Sequence, residues 1–203
     1  MNQAGTIFTI VHSTHDIETF LGLLSQHGIS VVADVRSTPA SRFNPQFNRD
    51  ALKSALAKVH LSYVFLGKEL GARSDDPTCY VDGKVQYDRL AVAPAYQAGV
   101  DRLQTGRTDH RIAVMCSERE PLDCHRTVLV AESLVSMGVP VVHILSDGGL
   151  EPHDATRSRI RKLHGLAEDD LFHSADELLA QALSRQEDRI AYVDSDRREV
   201  VRY

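Results

Sequence analysis

The chain has few cysteines, no long apolar run and no excess of positive charge, and each shortage excludes a class of protein. Three cysteines in 203 residues are too few for a disulfide scaffold, and the number is odd. No apolar run approaches the roughly 20 residues that span a bilayer. The N-terminal MNQAGTIFTIVHS lacks the charged and long apolar regions of a signal peptide. We therefore expect a cytoplasmic protein in reducing surroundings, without a membrane partner.

Charge and motif absences narrow the function further. The formal net charge of −5 argues against a broad nucleic-acid coat, but it leaves room for a small local anion site. A glycine-rich nucleotide loop is absent. A Cys-x5-Arg phosphatase loop is also absent, because Leu122 stands at the arginine position counted from Cys116. Hydrophobic and charged contents of 42% and 25% are ordinary for a globular domain.

Apolar runs alternate with segments of helical periodicity, which predicts an α/β fold with a mostly parallel five-stranded sheet flanked by helices. We assign residues 1–150 to this domain and 151–203 to a helical and strand-like extension packed on it. The predicted strands are Thr6–Val11, Ile29–Val35, Leu61–Leu66, Ile112–Cys116 and Val139–Leu145.

Further local patterns predict turns and helices. Ser13 or Thr14 is expected to cap the first helix, and Asp82-Gly83 predicts a hairpin within Tyr80–Val85. Other expected elements are helices over Leu90–Leu103 and Arg126–Met137 and a short strand within Arg189–Tyr203.

The most informative stretch is Arg111–Leu134, where a buried strand ends at Cys116 and a short polar loop follows. Asp123 is a candidate N-cap for a helix that begins at Cys124-His125-Arg126. A helix N-terminus and a neighbouring guanidinium lower a thiol pKa, so Cys124 is the candidate nucleophile or ligand. Two cysteines and a histidine are also metal-ligand types. The C-x7-C-H spacing is not that of a standard finger or ribbon, however, and we assign no metal.

Several other strand ends carry polar residues, and parallel strands bring their carboxyl ends to one edge of a sheet, where α/β proteins bind ligands. Asp34 paired with Arg36, or His12 and His143 as core histidines, would be a purely structural alternative. The loop Arg36–Arg49 contains arginines and no acid, which favours an anion such as phosphate, sulfate or carboxylate. The expected binding residues are His12, Ser13, Asp34, Arg36, Ser37, Arg42 and Arg126.

The segment GKELGAR, Gly67–Arg73, contains two glycines that would allow the backbone to approach a ligand closely. It adds Lys68, Glu69 and Arg73 to the polar residues of the chain. The motif alone is weak, so we do not include its residues in the predicted site.

Three segments together resemble the domain-of-unknown-function 488 family. They are VHSTHDIETFLGLLSQHGISVVADVRSTPASRFNPQFN, LSYVFLGKELGAR and MCSEREPLDCHRTVLVAESL. The resemblance implies a compact cytoplasmic α/β protein and no established reaction. A fainter similarity to rhodanese-type domains lies in Asp34-Val35-Arg36, Cys116 and Gly148-Gly149. The loop after Cys116 is longer and more acidic than a rhodanese loop, so this similarity implies an anion-binding cysteine loop rather than sulfur transfer.

These observations favour an enzyme that acts on an anionic small molecule, a nucleotide or a nucleic-acid end. The expected catalytic residues are Cys124, His125, Glu118 and Cys116, with His125 or Glu118 as proton carrier. A non-catalytic anion-binding or regulatory module and a metal-dependent hydrolase are the alternatives. The sequence leaves the cofactor, the substrate and the oligomeric state unassigned.

Overall fold

A six-stranded sheet forms the centre of the molecule. The computed structural model describes residues 5–118 and 120–197. The strand order is β3-β2-β6-β1-β7-β8, and β4 and β5 form a separate hairpin. The strands are β1 (Ile7–Val11), β2 (Val31–Asp34), β3 (Ser62–Phe65), β4 (Tyr80–Val81), β5 (Lys84–Val85), β6 (Ile112–Cys116), β7 (Val141–Ile144) and β8 (Leu150–Pro152). The predicted α/β class with a mostly parallel sheet is confirmed, since only the β7–β8 pair in this sheet is antiparallel.

The prediction of five strands was wrong by one, because β8 adds a short edge strand. Gly148, with φ +85°, lies in the turn that reverses the chain after β7. Leu150 then pairs with Ile144 in the antiparallel register. Three residues are too few to show an alternating pattern, and this explains why β8 was not recognised.

Helices cover both faces of the sheet. None of the helices within the described residues is long and apolar enough to cross a membrane. A π-helical turn over Arg126–Ala131 leads into α6. The α-helices are α1 (Ile17–Gln26), α2 (Arg49–Lys58), α3 (Gly67–Leu70), α4 (Tyr87–Val92), α5 (Pro94–Gly106), α6 (Glu132–Ser136), α7 (His153–Leu163) and α8 (Ala175–Ile190).

Two segments were predicted as single continuous helices, and the structure divides each of them into two elements. The helix expected over Leu90–Leu103 is divided between α4 and α5, because Ala93 is extended at ψ 136°, as is favoured for a residue before proline. The helix expected over Arg126–Met137 begins as the π-helical turn and becomes α-helical only at Glu132.

Local caps and the tail also differ from expectation. Asp16, rather than Ser13 or Thr14, caps α1 by accepting from the Thr19 backbone N–H. Asp123 belongs to a 3-10 turn, and His125 is the residue before the π-helical turn.

At the other end of the chain, α8 continues through Arg189 to Ile190, where a strand was predicted. Residues 198–203 of that predicted strand lie outside the described residues. The Asp82-Gly83 hairpin is confirmed, with φ values of 48° and 75° that suit its tight turn.

Alternate residues of the buried strands face two separate cores. Phe8 and Ile10 pack on the side of α1 and α2, together with Phe20 and Leu52. The opposite face packs against α5, the π-helical turn, α6, α7 and α8, whose buried side chains include Val100. Since both faces are covered, the strands read as continuous apolar runs.

The three central strands end beside one another. In the registers of the sheet, Val11 of β1 lies beside Cys116 of β6, and Asp34 of β2 lies beside Met115 of β6. The segments that follow these strands therefore leave the sheet at one edge, and this edge carries the polar residues expected to form the site.

Candidate functional site

The strand ends bring His12, Asp34 and Cys116 to neighbouring positions. The His12 backbone N–H donates to the Cys116 carbonyl oxygen over 3.0 Å, and the Val35 N–H donates to Met115 over 3.1 Å. These bonds continue the ladders of the sheet by one residue beyond β1 and β2. They fix the direction in which each chain enters the site.

The Arg36 side chain is held in place by four hydrogen bonds, three to Asp34 and Phe47 and one to His12. Its Nε and Nη2 donate to the two carboxylate oxygens of Asp34 over 2.9 and 2.7 Å, and Nη2 also donates to the Phe47 carbonyl over 2.8 Å. Tyr63 donates its hydroxyl to Asp34 over 2.8 Å. Burial disfavours the charge on Arg36, but the Asp34 carboxylate outweighs it and raises the arginine pKa. Arg36 is therefore a rigid, fully charged group.

His12 completes the support of Arg36 as a neutral acceptor. Its ring stacks on Phe47 with centroids 4.4 Å apart, and Nδ1 donates to the Ser13 carbonyl over 2.9 Å. The Nε2 atom then accepts from Nη1 of Arg36 over 3.1 Å. Burial and the Arg36 charge lower the His12 pKa to about 4. One N–H of the Arg36 Nη1 group remains after these contacts, since a guanidinium has five.

Two thiols, a carboxyl group and an imidazole form a second cluster, here called the thiol cluster: Cys116, Glu118, Cys124 and His125. One ligand atom from each residue lies within 4.8 Å of the others. The Cys124 sulfur lies 2.9 Å from a Glu118 oxygen. Nδ1 of His125 lies 3.8 Å from the Cys116 sulfur and 4.0 Å from the Cys124 sulfur.

The surroundings shift the pKa values of the thiol cluster in opposite directions. Burial, together with Cys124 and Glu118, raises the Cys116 pKa well above its usual value. Burial also opposes a charge on Cys124, but the hydrogen bond from Cys116 and the nearby Arg126 and His125 lower its pKa. Burial and Cys124 raise the pKa of Glu118. The surroundings therefore favour the thiolate of Cys124 over that of Cys116.

Arg126 lies buried directly behind this cluster. Its side chain has no exposed surface, and its Nε donates to the Thr9 hydroxyl over 3.2 Å. Its Nη1 and Nη2 atoms have no hydrogen-bond partner within residues 5–118 and 120–197. A buried guanidinium without an acceptor is costly, so these two groups are available to a negative charge.

A chain of hydrogen bonds runs from Arg126 to Glu132, the first residue of α6. The Thr9 hydroxyl lies 2.7 Å from Nδ1 of His143, whose Nε2 lies 2.9 Å from Nδ1 of His153. His153 then reaches Glu132 through Nε2 over 2.7 Å. Because Glu132 is an acceptor at this end, His153 donates to it through Nε2, and the tautomers of the two rings set the direction of the other bonds. The Thr9 hydroxyl oxygen accepts from Nε of Arg126.

A small cavity joins the supported arginine to the thiol cluster. Its volume is about 110 Å³, which is room for several water molecules. The exposed Thr38, Arg73 and Ser117 form its rim. This strand-end cavity is lined by Arg36, Ser37, Thr38, Ala72, Arg73, Cys116, Ser117, Glu118 and His125.

The predicted site residues divide into four groups. Arg36, Ser37, Cys116, Glu118 and His125 line the strand-end cavity. His12 and Asp34 support Arg36, while Cys124 and Arg126 lie behind the cavity wall with no exposed surface. Ser13 and Arg42 do not line the cavity, and Arg42 is exposed on its own loop.

Arg73 is the charged lining residue that was not predicted for the site; Thr38, Ala72 and Ser117 were not predicted either. The glycines around it approach protein backbone rather than a ligand. A Cβ on Gly67 would lie 2.1 Å from the Arg36 carbonyl oxygen, and one on Gly71 would lie 2.4 Å from Ser37 Oγ. The absence of these Cβ atoms lets the GKELGAR segment pack against Arg36 and Ser37. Thr9 and Tyr63 were also missed, since nothing in their local sequence marks them.

Comparison with known proteins gives one match. A family model described as "Domain of unknown function DUF488" matches residues 16–132. This segment contains every lining residue of the strand-end cavity and all four residues of the thiol cluster. No curated protein and no solved structure matches the chain.

Proposed function

The chain belongs to the family described as domain of unknown function DUF488, and from this premise we propose that it is an enzyme acting on a phosphate-bearing substrate in the strand-end cavity. The observation that carries the proposal is the composition of the cavity walls. Arg36 and Arg73, here called the arginine wall, line the cavity together with three residues of the thiol cluster. An anion held by the arginines would be next to thiol, carboxyl and imidazole groups.

The arginine wall suits a tetrahedral anion. Arg36 keeps its charge and has one remaining N–H, and its position is fixed by Asp34 and His12. Arg73 adds a second guanidinium, which rests 4.3 Å over the ring of Tyr192. Ser37 and Thr38 add hydroxyl donors. Such charge-assisted bonds are shorter and stronger than neutral ones.

The cavity has room for a phosphate-sized group, with a volume of about 110 Å³. The remainder of a nucleotide or nucleic-acid end would lie over the exposed rim of Thr38, Arg73 and Ser117. We therefore propose recognition of a terminal phosphate, with the rest of the substrate outside the cavity.

The thiol-cluster residues carry the chemistry. Cys116, Glu118 and His125 also border the cavity, so a thiol, a carboxyl group and an imidazole would lie next to the bound anion. Glu118 and His125 are groups that exchange protons in general acid–base catalysis. Cys124 is behind them and would act through these residues rather than on the substrate. A non-catalytic anion-binding module on the same arginine wall is the alternative.

Phosphate titration tests the binding part of the proposal. We expect R73A to weaken phosphate binding by at least about fivefold, because it removes a charged donor from the rim. Arg42→Ala is the matched control, since Arg42 is an exposed arginine outside the cavity. Isothermal titration of the wild type and both variants gives the affinities. Equal affinity of R73A and the wild type would contradict the assignment.

A turnover screen separates the enzyme from the binding module. Phosphomonoesters, nucleotides and phosphorylated oligonucleotides are incubated with the protein while thermal stability is recorded in parallel. Stabilisation together with turnover that R73A reduces supports the enzyme. Stabilisation without turnover of any phosphorylated compound would replace it by the binding module.

A further inference from the structure

The thiol cluster has the composition and spacing of a closed metal site. Sulfur, nitrogen and carboxylate oxygen are the ligand atoms that zinc accepts in proteins. Zn–S and Zn–N bonds of about 2.3 and 2.0 Å place neighbouring ligand atoms of a tetrahedron about 3.3 to 3.8 Å apart. The His125 nitrogen lies 3.8 and 4.0 Å from the two sulfurs. A contraction of a few tenths of an ångström would bring these atoms into coordination, and the Glu118 oxygen, 2.9 Å from the Cys124 sulfur, would move away from it by a similar amount.

The ligands converge from one short loop without a change in the fold. Cys116 is fixed by β6, whereas His125 and Cys124 are adjacent residues before the π-helical turn. Nδ1 of His125 is the nitrogen that faces both sulfurs. Glu118 supplies the fourth ligand atom from the middle of the loop, and its oxygen is 2.9 Å from the Cys124 sulfur. The sequence spacing of the cysteines and the histidine alone gave no indication of this fourth group.

The buried charge around the cluster is a second and independent observation. Two thiolates and a carboxylate would carry three negative charges, of which a divalent cation offsets two. Arg126 supplies the remaining positive charge, with two terminal nitrogens that have no acceptor within residues 5–118 and 120–197. The loaded site would therefore be electrically neutral, which suits a largely buried site.

We propose that Cys116, Glu118, Cys124 and His125 bind one Zn²⁺ ion at the wall of the strand-end cavity. Soft thiolate ligands select zinc over magnesium or calcium, which require oxygen ligands. The metal site stands on its own geometry. Its catalytic use rests on the proposed function, because a phosphate group in the cavity would lie next to the metal. With four protein ligands the ion has no open position for water, so it would act on the phosphate through its charge from the cavity wall.

Metal analysis of the full-length protein tests the site directly. The protein is stripped with a chelator, supplied with Zn²⁺, passed through a desalting column and measured by inductively coupled plasma mass spectrometry. We expect about one zinc per chain. The stripped protein with Co²⁺ should show sulfur-to-cobalt charge-transfer absorption, which reports thiolate coordination without any need for activity. Absence of both would overturn the proposal.

Single-cysteine variants locate the ion. Cys116→Ala and Cys124→Ala should each lose the stoichiometric metal. Cys79→Ala should retain it, because Cys79 is a buried free cysteine outside the cluster. Circular dichroism establishes that each variant is folded, and the wild-type cobalt spectrum decides the question if a variant is not. Zinc that is retained by both folded cluster variants would refute the assignment.

The two proposals fail separately. Phosphate binding that depends on Arg73, in a protein that takes up no zinc, would remove the metal and leave the proposed enzyme with thiol chemistry. Stoichiometric zinc without phosphate binding would remove the proposed function and leave the metal site.

Discussion

At the scale of single residues, the chain of hydrogen bonds from Arg126 through Thr9 to His143 depends on single side chains. The Thr9 hydroxyl accepts a hydrogen bond from Nε of Arg126 and is also hydrogen-bonded to Nδ1 of His143. Its hydroxyl therefore joins a buried cation to a buried imidazole. Thr127, by contrast, has a buried hydroxyl with no partner in the described part of the chain. The two threonines form a natural pair for comparison.

Thr9→Val should destabilise the protein by about 1–3 kcal/mol, since it keeps the side-chain shape but leaves two buried polar groups without their partner. Urea unfolding followed by circular dichroism measures the free energy of unfolding. Thr127→Val is the control, and it should be neutral or stabilising because it removes an unsatisfied hydroxyl. An equal loss in both variants would show that the Thr9 hydrogen bonds contribute nothing specific.

The sequence indicated which residues come together, but it did not indicate which way their side chains point. The strand ends correctly indicated that His12, Asp34 and Arg36 would come together, because parallel strands end at one edge. Whether a cysteine reaches a cavity or lies behind its wall depends on packing across the sheet. The sequence therefore gave no reason to place Cys116 at the cavity and Cys124 behind it.

At the scale of elements, the GKELGAR segment positions the rim arginine. Its two glycines allow it to pack on Arg36 and Ser37, and the Arg73 backbone N–H donates to the Ser37 hydroxyl over 3.0 Å. The segment is thus coupled to the loop after β2 by backbone contact. Any side chain at Gly71 would separate the two.

Gly71→Ala should lower both stability and phosphate affinity, because the new Cβ would lie 2.3 Å from the Gly67 carbonyl oxygen and 2.4 Å from Ser37 Oγ. We expect a loss of about 1–3 kcal/mol in unfolding free energy from this overpacking. Thermal unfolding and phosphate titration measure the two effects. Gly22→Ala is the control in α1, where no atom lies within 4 Å of the added Cβ. It should stabilise by about 0.5–1 kcal/mol, and a similar gain at Gly71 would contradict the packing argument.

Element type followed from the sequence more readily than element boundaries. Ile112–Cys116 was predicted with its full bounds, since a buried parallel strand is a continuous apolar run. The π-helical turn at Arg126 has no such pattern, because its widened geometry arises from tertiary packing. Pro94 did mark the break between α4 and α5, although the periodicity on either side concealed it.

At the scale of the whole molecule, strand order creates the site. β6 lies between β1 and β2, so the chain returns to the centre of the sheet after it has formed the edge. This order brings a loop from the second half of the domain against two loops from the first half. A net charge of −5 coexists with three arginines in or behind one cavity, because overall charge does not determine a local field.

Anomalous diffraction from crystals soaked in selenate is the most direct test of the central claim, that the strand-end cavity binds a tetrahedral anion beside the thiol cluster. Selenate has the shape and charge of sulfate, and its selenium atom can be located without a model of the ligand. We expect a selenium peak in the cavity, within hydrogen-bonding distance of Arg36 and Arg73. Selenium peaks elsewhere on the protein, with the cavity empty at the same concentration, would contradict it.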